Sequence, residues 1–222
     1  MKTILIACRT IERELKKAIQ DTSISYPCTW LESGLHNYPE KLRESLQKSL
    51  DEVSADTDRV ILAFGYCGNA VNGLKTGNFQ LILPRVDDCI TLMLGSFKKR
   101  QEISSDTASY FLTKGWLDGE RNIWAEFVYT REKYGERKAK LIFRSLLSNY
   151  KRLAVIDTKA YHLPAILPET RHIADELNLT HEIIEGNDSF IKQLLTGPWT
   201  DDRFLVIEPH HAITNQDLMV FG

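Results

Sequence analysis

Short apolar runs alternate along the chain with longer amphipathic stretches, and that alternation predicts repeated strand–turn–helix units. Thr3–Ala7 reads as a short apolar strand. From Thr10 to Ile19 the residues Ile11, Leu15, Ala18 and Ile19 share one helical face, with Glu and Lys opposite. Ile24–Leu31 is a second strand, interrupted by Pro27. Pro39–Val53 is a helix with proline in its first turn and Leu42, Leu46, Leu50 and Val53 in phase. Arg59–Phe64 is continuously apolar, as parallel strands buried on both faces are. A turn at Gly65–Asn69 follows, with a helical or irregular segment to Leu74. Gln80–Leu83 is a fourth strand ended by Pro84, and Asp88–Leu94 a short helix stopped at Gly95.

The stretch from Phe97 to Gly119 is less regular, with Tyr110–Thr113 as an edge strand. Helical patterns run from Arg121 to Tyr134 and from Glu136 to Tyr150. Alternation then resumes: strand Leu153–Asp157, helix Pro168–Leu177, strand Thr180–Ile184, helix Ser189–Leu195, and a last strand Phe204–Ile207 ending in EPHH. The expected fold is α/β, with two Rossmann-like lobes, or one large mixed sheet, of mostly parallel strands flanked by helices. The lobes are expected at 1–120, rich in thiols, and 121–222, with no flexible linker between them.

In such a sheet, ligands bind in the loops beyond the carboxyl ends of the strands. Cys8 directly follows the first strand, Cys67 follows the third by three residues, and Cys89 follows the fourth by six. His36 lies in the loop after the second strand, whereas Cys28 lies within it. Adjacent strands are about 4.8 Å apart, so Cys8, Cys67 and Cys89 can converge, with His36 as a fourth group. A Cys3His set suits zinc best, and iron–sulfur clusters or copper are the alternatives that soft thiolates allow. The competing reading is that each cysteine is a small buried apolar side chain, since no CxxC pair supports the set.

Other residues extend or temper this picture. Cys8 and Cys89 precede or open helices, and Arg9 and Arg85 are near in sequence, so a thiolate there gains favourable charge. Asp88 caps the next helix or orients a ligand together with Arg85. A metal-free alternative makes Cys67 a nucleophile with a histidine base, and the Gly68 and Asn69 amides an oxyanion site. His210 and His211 in EPHH make either a polar turn or a proton shuttle reaching in from the second lobe. Tyr110, Trp116, Trp124, Tyr129 and Tyr134 line a cavity for a planar cofactor or form core. The glycines at 65, 68 and 73 match neither GxGxxG nor a Walker motif.

Composition narrows the partners. Hydrophobic residues make up 43% and charged residues 26%, an ordinary globular balance. A net charge of −2 gives no electrostatic footprint for nucleic acid or an anionic membrane, and Lys98-Lys99-Arg100 reads as a solvated turn. No apolar run approaches the ~20 residues of a membrane span, and the N-terminus lacks a signal-peptide core, so a cytoplasmic protein handling a small molecule or cofactor is expected.

ILIAC with the REL helix, LH…P, FGYCGNAVNGL, LPRVDDCITLMLGS and YFLTKGW occur in an order that resembles the uncharacterised domain of unknown function 1638 family. The family's motif residues match at Cys8, His36, Cys67, Gly68, Asp88 and Cys89. The resemblance implies an accessory or transferase role in corrinoid or methyl-group metabolism, with a methyltransferase or corrinoid protein as partner.

Overall fold

A computed structural model describes residues 1–119, 122–200 and 202–219. Parallel strands β1 (Thr3–Cys8), β2 (Cys28–Leu31), β3 (Arg59–Ala63) and β4 (Gln80–Pro84) form most of the first sheet. Its order is β2-β1-β3-β4, completed by β8 (Phe204–Ile207), which pairs antiparallel with β4. The chain steps from β1 outward to β2 and returns to the other side of β1 with β3, which creates a topological switch point between β1 and β3. A second parallel sheet has the order β5 (Ser109–Leu112), β6 (Arg152–Asp157), β7 (Thr180–Glu185).

Helices α1 (Glu12–Thr22) and α2 (Pro39–Asp51) follow β1 and β2 and bury the faces read from their periodicity, including Leu15, Ala18, Leu42, Leu46 and Leu50. Strand β2 is shorter than the pattern suggested: Pro27 has no N–H to give, and only its carbonyl joins the sheet, accepting from Leu5 N at 2.8 Å. Helix α3 (Cys89–Leu94) is capped by Asp88, whose Oδ1 accepts from Ile90 N at 2.9 Å. The segment expected to be irregular contains α4 (Phe97–Asp106), capped by Ser96 Oγ accepting from Lys99 N, and the single turn α5 (Lys114–Leu117). Helices α6 (Ile123–Tyr134), α7 (Glu136–Leu146) and α8 (Leu167–Glu176) surround the second sheet, and α9 (Ser189–Thr196) leads to β8. The α6 pattern was read from Arg121, which lies outside the described residues.

The two sheets do not divide the chain at residue 120. Strand β5 precedes that point but pairs with β6, and β8 follows it but pairs with β4. The main core runs through both: Leu5, Ile61, Leu83 and Phe204 of the first sheet share it with Ala154, Ile156 and Ile184 of the second. A smaller core beneath α6, α7 and α8 centres on Phe127, Phe143 and Ile173. Among the described residues no helix is long and apolar enough to cross a membrane.

One tight seam fastens α5 to the end of β1. A Cβ on Gly115 would lie 1.8 Å from the backbone oxygen of Thr10, which has no flexible side chain to yield. We expect Gly115→Ala to lower unfolding stability by about 2–4 kcal/mol through overpacking. Urea denaturation checks it, and an unchanged midpoint would show that the seam relaxes freely.

Candidate functional site

The carboxyl edge of β1, β3 and β4 brings three thiols together. Cys8 ends β1, Cys67 lies in the turn after β3, and Cys89 opens α3. All are buried and unbridged, at 5%, 7% and 5% exposure, so they sit just beneath the surface. Cys89 is central, hydrogen-bonded to Cys67 and to Cys8.

The local backbone explains this placement. Gly65 has no side chain, and a Cβ there would lie 2.4 Å from Asp88 Cα. The two loops therefore run side by side, with Tyr66 N donating to Val86 O at 2.8 Å and Cys67 N to Asp87 O at 2.7 Å. Cys67, Gly68 and Asn69 then adopt φ values of 44°, 69° and 69°, and Ala70 N closes the turn onto Tyr66 O at 2.8 Å. This is one turn of left-handed helix, strained at Cys67 and Asn69, which carry side chains. The amides of Gly68 and Asn69 are exposed and meet no protein acceptor among the described residues.

The thiols of Cys8 and Cys89 are held well above the ordinary range. For Cys8 the hydrogen bond with Cys89 is the largest cause, followed by burial, while Thr10 pulls the other way. For Cys89 the hydrogen bond with Cys67 leads, partly opposed by Cys8. The expected thiolate at the helix start is thus overturned: α3 is only six residues long, and its neighbours favour the protonated form. The buried Thr10 hydroxyl, beside Cys8, has no hydrogen bond of regular geometry.

The other expected site residues scatter. His36, on the short turn Leu35–Asn37, faces Trp116 at 6.3 Å between ring centroids; burial lowers its pKa and nearby Asp88 opposes that. It lines a cleft rather than completing the thiol set. Among the described residues, no group of three or more His, Cys, Asp or Glu side chains stands ready to hold a metal ion. The Cys3His shell is therefore not assembled: the thiols form a hydrogen-bonded row, and His36 is engaged elsewhere. Arg85 points away to the C-terminal segment, donating to Asp217 O and Met219 O at 2.8 and 3.1 Å. Arg9 pairs with Glu12 and Glu32.

His210 and His211 are carried to the opposite edge of the sheet. Because β8 is antiparallel, Ile207 pairs with Leu81 near the start of β4, while the thiols lie beyond Pro84. His211 there meets Asp217 at 3.1 Å, and His210 N donates to Gly77 O. Neither serves the thiol edge, which corrects the proton-shuttle reading. Cys28 stays within β2, its thiol raised by burial to about 12.

One functional residue was missed. Arg100, read as part of a solvated turn, reaches from α4 to Asp88 Oδ1 at 2.5 Å and Thr91 Oγ1 at 3.2 Å. The signal was Ser96, a helix cap preceding it in sequence. Asp88, Arg100 and His36 share a cleft of about 560 Å3 with Tyr110, Trp116 and Tyr150. A contiguous hollow of about 400 Å3 shares the last three and His36, and adds Glu126. Both volumes fall in the range of small-molecule sites. Trp124 instead stacks on Phe127 in the smaller core, and Tyr129 and Tyr134 are exposed.

The family model for "Protein of unknown function (DUF1638)" matches residues 30–195, about three quarters of the chain, and the chain belongs to this family. The match includes His36, Cys67, Asp88 and Cys89 and begins after Cys8. No curated protein and no solved structure matches the chain significantly.

The raised thiols give the stability a pH signature. In the unfolded chain Cys8 and Cys89 ionise near their ordinary pKa of about 8.5, and in the folded chain only well above it. Their contribution is fully present below that range. It is lost as pH rises, because the unfolded state then holds fewer protons. Chelator-treated protein should lose stability to urea as pH rises through and above the ordinary thiol range, and Cys8→Ala should flatten the decline. A wild-type profile level across that range would contradict the protonated row.

Proposed function

We propose that the chain binds a thiophilic metal ion, alone or within a cofactor, through Cys8, Cys67 and Cys89, next to a cleft that holds a small molecule. The observation that carries this reading is the delivery of three thiols, from the ends of three adjacent parallel strands, into one hydrogen-bonded row. Buried thiols have no need of one another as apolar filler, whereas soft cations are held by such donor sets. The donor types suit such an ion, which would have to draw the three thiols closer together than the row holds them. A cation would exchange for the thiol protons and turn three weak donors into three ligands. Asp88, adjoining Cys89 and fixed by Arg100, would orient what enters from the cleft. The bound ion would supply Lewis acidity or thiolate activation. Corrinoid involvement and a methyltransferase partner remain part of the proposal, carried by the resemblance.

A second reading has its own support. Cys67 sits on a strained left-handed turn whose next two amides are free and exposed, a placement suited to a lone nucleophile with an oxyanion site.

Metal analysis of protein purified without oxygen, with an absorption spectrum, tests the choice. About one equivalent of a thiophilic metal is expected, lost in Cys8→Ser, Cys67→Ser and Cys89→Ser variants that keep wild-type circular dichroism. No metal, with the cysteines open to slow titration, would overturn the metal reading and leave Cys67 as the reactive group.

A further inference from the structure

The cleft between the sheets has a chemistry of its own, independent of the thiols, none of which lines it. Its wall is made of two edge-to-face ring pairs. Tyr110 meets Tyr150 at 5.6 Å, and His36 meets Trp116 at 6.3 Å. They come from four separate places: the loop after β2, strand β5, helix α5 and the segment before β6. All four rings border both parts of the cleft.

The charges along this wall are unequal. At the wider end Asp88 and Arg100 neutralise each other. At the narrower end, of about 400 Å3, Glu126 is the one charged side chain among the described lining residues, which include no Lys or Arg. The Glu126 carboxylate has no cationic partner among the described residues; the hydrogen bonds at this position engage its backbone, with Glu126 N donating to Asn122 O and its carbonyl accepting from Thr130 Oγ1. Glu126 is close enough to Tyr110 to help raise the phenol, after burial and Tyr150. His36, its pKa lowered by burial, presents an uncharged ring near neutral pH. Lys41 lies over the ring of Tyr38, a lining residue, but does not itself line the hollow.

From this geometry we infer that the narrow end of the cleft binds a compact organic cation of the quaternary-ammonium class, seated against Tyr110, Trp116, Tyr150 and His36 and facing Glu126. Aromatic faces attract a cation too large and too weakly hydrated for a metal site, and a single carboxylate balances its charge. A neutral ligand of the same shape gains the apolar contact but not this attraction. Among the described lining residues an anion meets Glu126 at the narrow end and the Asp88–Arg100 pair at the wider one.

The probe is choline, compared with its neutral isostere 3,3-dimethyl-1-butanol, titrated calorimetrically into the full chain. We expect choline to bind with a Kd of about 1 mM or tighter and the isostere about tenfold more weakly. Glu126 is exposed on α6, so Glu126→Gln should fold normally, weaken choline several-fold and narrow the gap to the isostere. Tyr150→Leu should weaken both ligands. Glu132→Gln, on the same helix outside the lining, should behave as wild type. Equal binding of the two probes, no choline binding at about 20 mM, or an unchanged Glu126→Gln variant would overturn the inference. Metal content does not enter this readout, so the inference and the metal reading stand or fall separately.

Discussion

The approach of Gly65 to the backbone of Asp88 governs the rest of the site. Two strands that end side by side would normally send their loops apart, because side chains keep backbones separated. Here the missing side chain lets the segment after β3 lie against the segment after β4, joined by the Tyr66–Val86 and Cys67–Asp87 hydrogen bonds. That pairing ties the two loops together beyond the last regular residues of the sheet. It sets Cys67 beside Cys89 and forces the chain to turn away at once. The left-handed turn at Cys67, Gly68 and Asn69 is the consequence, and Gly68 fits there against Pro39 of α2, where a Cβ would lie 2.9 Å from the ring. The strain at Cys67 is thus held in place by contacts on either side.

Asp88 and Cys89 are consecutive residues with opposite allegiances. The Asp88 carboxylate turns to the cleft, caps α3, binds Arg100 and biases His36. The Cys89 thiol turns to Cys8 and Cys67. A change in the charge near one is therefore felt by the other through a single peptide unit, and the Asp88 charge already contributes to the raised Cys89 thiol.

Much of this was legible in the chain. Strands β1, β3 and β4 announced themselves as short continuous apolar runs, and parallel pairing put their carboxyl ends, with Cys8, Cys67 and Cys89, on one edge. The α/β class followed from the alternation. What failed depended on direction and partner choice. An apolar run such as Phe204–Ile207 reads the same in either direction, so nothing in it revealed that β8 would run antiparallel to β4 and carry His210 and His211 away. Likewise Tyr110–Thr113 read as an edge strand, which β5 is, but gave no sign of which sheet it would join. Arg100 was hidden because its partner is distant along the surface of two helices, and a run of Lys and Arg looks solvated until the helix that aims it is known.

The exchange of β5 and β8 between the halves of the chain has a physical purpose. Two lobes each built from its own continuous segment would meet at a surface of finished faces, polar on both sides. Here Phe190, Phe204 and Ile207, late in the chain, pack into the same core as Leu5 and Leu83, and Ala154 and Ile156 of the second sheet join them. A shared core of this kind fixes the angle between the sheets. The cleft at their junction is then part of the fold itself: its rings come from β5, α5 and the segment before β6 on one side, and from the loop after β2 on the other. A wall assembled from such separate segments stays aligned only while the core beneath is intact.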